Sequence, residues 1–412
     1  MLLSAFRSWS AWITVAAVML GCQAITASTT SRPRLMVMLP SDPMDAAVRD
    51  RFLRGFATGA HSVAACDSPM PAVRWQDIAP RQSPLQLISP SSGIQLLVAP
   101  PSADLRAFAG VSRQRDLPIL LPYQRGTSLS TLRGLEERQR LWPLVPSRLD
   151  DVRATVAAAM QEGWGRAMVV ASPGAVEASV TDQFVDLYRL AGGHVETFEP
   201  TPVQRVDPLD QSRFNRFRDD MNWSWVSTVV VADHPDGPLA SRLREAQQRG
   251  VFGGGAPETP NWVWLSAAEV LTSVPDVPWQ QLGLQHPARG ENWMEFQGAY
   301  QEQWGGPPDL LSAAGYDTAR LLALVAAAPL PKTGDGAPDP MGWIDPDAPS
   351  VSVCEALQQR RAGQPLRLSS AASDARLRAG MTPSGNAQAG LLRNGSSGRM
   401  VAGLNRIHAA TE

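Results

Sequence analysis

Five short stretches of the chain carry side chains suited to holding a small polar molecule. Ser102 follows a predicted strand and opens a predicted helix, where backbone N–H groups suit an anion. A serine at that place is equally suited to capping the helix. Arg125 and Thr127 lie in the stretch 123–128, after the next predicted strand. Thr127 can donate to a carboxylate; Arg125 can clamp an anion through two parallel hydrogen bonds, or sit as a solvated cation. Ser172 ends another predicted strand, Asp233 stands beside His234 after a β-branched run, and Ser266 follows a tryptophan-rich strand. Asp233 could hold an ammonium group or hydrogen-bond its own loop.

Groups that break bonds lack their usual settings. There is no Gly-x-Ser-x-Gly elbow, no His-Glu-x-x-His and no phosphate loop. The five histidines, at 61, 194, 234, 286 and 408, have no metal-ligand spacing. The acid pairs Asp150-Asp151 and Asp219-Asp220 fall on predicted helices, where neighbours point apart, and read as solvated faces. The stretch 332–350 is nearly all turn formers and is expected to be an exposed loop; Pro349 and a missing terminal acid defeat a calcium-loop reading. No catalysis, cofactor or metal is expected.

The elements that must position these side chains alternate regularly. Strands are predicted at 34–40, 93–99, 117–122, 166–171, 194–198, 226–232 and 262–265, and helices at 45–59, 102–115, 148–162, 176–190, 210–221 and 239–249. Short apolar strands alternating with helices specify α/β layers around parallel sheets. Ligands of such sheets bind along the carboxyl ends of the strands. The 412 residues, 44% hydrophobic, exceed one ordinary core, so two lobes are expected. The formal charge of −2 carries no basic excess, which argues against nucleic-acid binding. Lys332 is the sole lysine, which disfavours Schiff-base chemistry. Thirteen tryptophans stand against four tyrosines; Trp223, Trp225, Trp262 and Trp264 flank strands and are core candidates.

Residues 1–21 have the proportions of a signal peptide, with Arg7 ahead of an apolar run too short to span a bilayer stably. The run ends in Val18-Met19-Leu20-Gly21-Cys22, which resembles a bacterial lipobox with Cys22 as the lipidated residue; cleavage after Ala24 or a retained anchor are the alternatives. Residues 22–33 would then be a tether, and the rest of the chain would work in the periplasm or cell envelope. In an oxidising compartment Cys66 and Cys354 either form a disulfide or remain two buried thiols.

The ordered set of segments resembles the type I periplasmic-binding-protein fold, in the branch of branched-chain amino-acid substrate-binding proteins. The resemblance is carried by the helix 47–56, by Val98-Ala99-Pro100-Pro101-Ser102 with the strand 117–122, by the module 163–195, and by 296–322 with Tyr300, Trp304-Gly305, Pro308 and Gly315-Tyr316-Asp317. It implies two Rossmann-like lobes joined by a hinge: 34–147 in the first, 148–285 in the second, and 286–412 as late helices crossing back to the first. It further implies a small polar ligand, amino-acid-like or an amide, passed to an ABC-type permease; Ser102 and Thr127 match the family's ligand-contacting positions, while Arg125, Ser172, Asp233 and Ser266 are candidates by their places after strands and depart from the family's aromatic and acidic partners. The second-lobe tyrosine common in amino-acid binders is missing after the strand that ends at Ala171. The opening run also resembles lipoproteins that activate penicillin-binding proteins, which implies the alternative of an envelope protein as partner.

Overall fold

The computed structural model describes residues 35–392, except 102, 126–128, 130–131, 133–137, 199, 225, 251–259, 272–273, 287–288, 335 and 337–338. The expected signal peptide, tether and lipidated Cys22 lie outside the described residues, as do Ser102, Thr127 and Trp225.

The first lobe begins with β1 (Leu35–Pro40), buried along its whole length, then α1 (Ala46–Ala64), β2 (Val73–Ile78) and β3 (Leu96–Val98). It continues with α2 (Leu105–Arg115), β4 (Ile119–Leu121) and β5 (Leu141–Pro143). These strands form a parallel sheet in the order β2-β1-β3-β4-β5. Helix α2 starts later than the sequence predicts, because the Asp104 carboxylate accepts from the Arg106 N–H at 3.1 Å and sets its N-terminus there.

The chain then crosses into α3 (Arg148–Gln161), β6 (Arg166–Ala171), α4 (Thr181–Leu190), β7 (His194–Val195), β8 (Val203–Arg205) and α5 (Gln211–Trp223). There follow β9 (Thr228–Ala232), α6 (Pro238–Gln248), β10 (Asn261–Trp264) and β11 (Gln281–His286). It returns through α7 (Trp293–Trp304) and α8 (Leu310–Ala326), then β12 (Ser350–Val351), α9 (Val353–Arg361) and β13 (Arg367–Leu368), and ends in β14 (Gln388–Leu391). The second sheet runs β14-β11-β10-β9-β6-β7, with β8 also on β6. It is parallel apart from β14, which pairs antiparallel with β11. The architecture is α/β with two parallel-sheet lobes.

In the first lobe α1 and α8 approach backbone to backbone. A Cβ on Gly55 would stand 1.8 Å from the Ser312 carbonyl oxygen, and one on Gly315 would stand 2.2 Å from that of Phe52. Only glycine permits this contact, which lets α8 be buried on nearly all sides. A disulfide joins Cys66, just past α1, to Cys354 in the first turn of α9. The second lobe instead packs β-branched strands against aromatics, with Trp262, Trp264 and Trp279 in one cluster.

Four expectations change. The tail assigned to the first lobe returns to the second as β14, covering the edge that β11 would otherwise expose. Within 332–350 the side chains of Met341 and Trp343 are buried in the first-lobe core, because turn formers direct the backbone but leave these two apolar groups to pack inward. Trp223 is 80% exposed at the end of α5. Asp151 is buried although its neighbour Asp150 is not: adjacent helix residues point about 100° apart, so one can face inward.

Candidate functional site

The lobes meet where the chain leaves β5, and the meeting place is built from arginines. Arg125, in the loop after β4, donates from its guanidinium to the Asp151 carboxylate at 2.7 Å and to the Pro146 carbonyl at 3.3 Å. Its own carbonyl accepts from the Arg148 N–H at 2.7 Å. Arg148 reaches across to the Leu265 carbonyl at the end of β10, at 2.9 Å. Burial holds the Asp151 carboxyl above its ordinary value, with Arg125 and then Arg148 pulling the other way. Burial, then repulsion from Arg125, lowers the Arg148 guanidinium. The pair Arg125–Asp151 is closed on both sides, with 8% and 4% of the side chains exposed.

The second-lobe residues extend this floor. Ser266 is fully buried, and its hydroxyl donates to the Asp233 carbonyl at 2.7 Å. The Asp233 carboxylate accepts from the Ala240 N–H in the first turn of α6, at 3.0 Å. Gly237 passes so close that a Cβ there would meet the carboxylate at 2.4 Å. Ser172 lies beside this loop, its N–H donating to the Ala232 carbonyl at 3.2 Å. The structure therefore gathers Asp233 and Ser266, ties Arg125 to Asp151, and uses the carboxylate of Asp233 to stabilise its own helix. His234 is exposed, and its Nδ1 accepts from the Asp236 N–H at 3.2 Å.

A pocket of about 570 Å³ lies to one side, with walls from both lobes. The first lobe supplies Asp50, Arg51 and Arg54 from α1, Trp293, Tyr300 and Trp304 from α7, and Asp309 and Ser312 at the start of α8. The second supplies Ala268, just past β10, and Gln285 and His286 at the end of β11, with Arg289 on the crossing itself. Arg51 pairs with Asp309 at 3.1 Å and Arg54 with Asp50 at 2.9 Å. The Arg289 guanidinium lies over the Trp293 ring at 4.6 Å and stands 3.1 Å from the His286 Nδ1. Burial, then the Arg289 charge, lowers the His286 imidazole below its ordinary value. A second pocket, of about 460 Å³, belongs to the first lobe alone and opens at the ends of β1, β2 and β3.

Sequence reasoning passed over the lining of the interlobe pocket. Tyr300 and Trp304 were visible only as marks of a late helix, and Arg289 precedes that helix, so no helical spacing tied it to Trp293. Among the described residues, no three His, Cys, Asp or Glu side chains gather as metal ligands, and no helix is long and apolar enough to cross a membrane.

Two lobes, three chain crossings between them and a small-molecule-sized pocket at the junction define the class of fold. Among solved structures, the chain is similar to a putative branched-chain amino acid ABC transporter protein from Rhodospirillum rubrum. The TM-score is 0.55 and the identity 14%, over 88% of this chain and 98% of that one. It is also similar to an ABC-transporter solute binding protein from R. palustris in complex with benzoate, at TM-score 0.53 and 15% identity, over 88% and 94%. A substrate-binding protein from Desulfitobacterium hafniense in complex with Leu matches at TM-score 0.51 and 16% identity, over 83% and 92%. At such identities the likeness is one of fold: the chain has the two-lobed type I periplasmic-binding-protein fold. No family model and no curated protein matches it.

Proposed function

We propose that the protein is an extracytoplasmic binding protein that captures a small solute between its lobes and presents it to an ABC-type permease. The observation that carries this reading is the pocket of about 570 Å³ at the lobe junction, lined from both sides and of the size that small-molecule sites have. Residues from the crossing take part in its wall, so a hinge motion would open or shut it. Cys22 is the proposed lipid anchor, and Cys22→Ser should release the protein from membranes or leave an unprocessed precursor.

A thermal-shift screen of organic anions, amides, amino acids and short peptides, followed by small-angle scattering, tests the reading. A true ligand should raise the melting temperature and reduce the radius of gyration. At a hundredfold excess over Kd, binding alone adds about 2.7 kcal/mol. A second reading, an envelope protein as partner, draws support from the floor of the junction, where Arg125 and Asp233 are engaged within the protein itself. A screen without a single stabilising compound, together with specific capture of a peptidoglycan synthase, would favour it.

A further inference from the structure

We propose that the second and third chain crossings form one rigid clasp on helix α8 of the first lobe, so that the lobes turn about an axis fixed to that lobe and the chain bends on the second-lobe side of the clasp. Asp317 and Gly290 are its positioning residues. The inference rests on the reading that the lobes move to capture a solute, and adds the device that guides the motion.

The second crossing leads from β11 to α7 and the third from β13 to β14. They run against each other. The Gly290 N–H donates to the Ala371 carbonyl and the Asn292 N–H to the Ser370 carbonyl, each at 2.9 Å. A Cβ on Gly290 would stand 2.2 Å from the Ser370 and Ser373 carbonyl oxygens, so only glycine lets the two segments meet. One helix then grips both. The Asp317 carboxylate accepts from the Ser370 hydroxyl at 2.6 Å, from the Ala371 N–H at 3.0 Å and from the Ala372 N–H at 2.9 Å. Arg320, on the next turn of α8, donates to the Ser369 carbonyl at 2.9 Å and to the Asn292 Oδ1 at 3.4 Å. The Tyr316 hydroxyl donates to the same Oδ1 at 3.1 Å. Val145, on the first crossing, packs in one cluster with Tyr316, Ala371 and Ala372.

These ties are costly to part. Asp317 and Arg320 are buried and stand 3.4 Å from each other. Lifting the 369–373 turn off α8 would strip a buried carboxylate of its donors and leave the Ala371 and Ala372 amides without their acceptor. A rotation of the lobes takes the cheaper course and bends the chain where such ties have ended. On the third crossing they run on past the clasp. The Gly380 N–H donates to the Leu141 carbonyl at 2.7 Å, and the Asp374 N–H to the Ser384 carbonyl at 3.1 Å. Gly385 and Asn386 follow, just ahead of β14, and both residue types accept wide changes of φ and ψ.

Interlobe distances and amide exchange, read on the full-length protein, test the proposal. Spin labels on p-acetylphenylalanine go at two exposed positions, Met44 in the first lobe and Leu209 in the second, and electron double resonance gives the distance distribution. Gly290→Ala, which wedges the two crossings apart, should broaden the wild-type distribution by about half. It should also speed exchange at 290–292 and 370–373 about tenfold, while β1 and β9 stay within about twofold. Ser370→Ala, which keeps both charges and loses one tie, should act in the same direction and less. Gly385→Pro, beyond the clasp, should narrow the distribution and leave exchange at the clasp as in wild type. Far-ultraviolet circular dichroism and a thermal melt establish that each variant is folded. Faster exchange in Gly290→Ala without broader distances gives the clasp a structural role only and overturns the proposal. A Gly385→Pro distribution as broad as that of wild type overturns it as well. A single narrow distance in wild type overturns it together with the hinge motion, and the thermal-shift screen then decides separately whether a solute is captured.

Discussion

The floor of the lobe junction and the pocket beside it place the same residue types in different surroundings. At the floor, Arg125 and Asp151 consume each other, Arg148 is spent on the Leu265 carbonyl, and Asp233 caps α6. In the pocket, Arg51 and Arg54 are paired too, with Asp309 and Asp50, but they and Arg289 border an open volume of about 570 Å³, and Arg54 and Arg289 lie over tryptophan rings. The difference is one of burial. A charge sealed from water must be matched within the protein, whereas a charge on a cavity wall keeps its hydration until a guest replaces it. A charged side chain at a strand's carboxyl end is therefore a site only where the fold leaves space in front of it.

The sharpest way to break this contrast is to cut the buried pair. Arg125→Ala or Asp151→Ala leaves an unmatched charge in a closed place and should cost about 3–5 kcal/mol in urea unfolding. Replacing both, as Arg125→Met with Asp151→Leu, should restore most of that loss, because the pair's attraction largely offsets its desolvation. Arg51→Ala, which breaks the exposed pair with Asp309, should change stability by less than about 1 kcal/mol. If Arg125→Ala proves as stable as wild type but loses solute binding, the floor is the site and the contrast falls.

A smaller effect separates capping from ligand contact at Asp233. Asp233→Ala removes the acceptor for the Ala240 N–H and should lower stability by about 1 kcal/mol, the usual worth of such a cap. Solute affinity should stay within threefold of wild type. A loss of binding without a loss of stability would return Asp233 to the list of ligand contacts that its position after β9 suggests.

The alternation of strands and helices was legible because it rests on local signals: buried apolar runs, caps such as Ser147 and helix-ending glycines. What escaped was set by distant partners. β14 reads as a weak Gln-Ala-Gly-Leu stretch, and only the open edge of β11 makes it a strand. Met341 and Trp343 sit among turn formers, and their burial depends on α8 and α9 meeting above them. At the site, position after a strand pointed to Arg125, Asp233 and Ser266, but whether each faces space or protein depends on Asp151, Ala240 and the loop after β10. The pocket's own residues come from α1, α7 and the crossing, far apart in sequence, so no single motif announced them.

The smallest expected effect concerns the pH dependence of stability at the pocket wall. The His286 imidazole is lowered from its ordinary value by burial and by Arg289, so the folded protein resists taking a proton that the unfolded chain accepts near pH 6.5. Below that pH the unfolded state binds more protons at this residue, and stability should fall until the lowered folded value is passed. Asp151 and Asp317, whose carboxyls burial raises, act in the opposite sense, favouring the folded state as pH falls. The contribution of His286 is therefore read as the difference between wild type and His286→Gln in urea midpoints from pH 7.5 to 5. Wild type should lose more stability than His286→Gln over that range. Parallel curves for the two proteins would mean that burial and Arg289 do not lower the His286 imidazole in the folded protein.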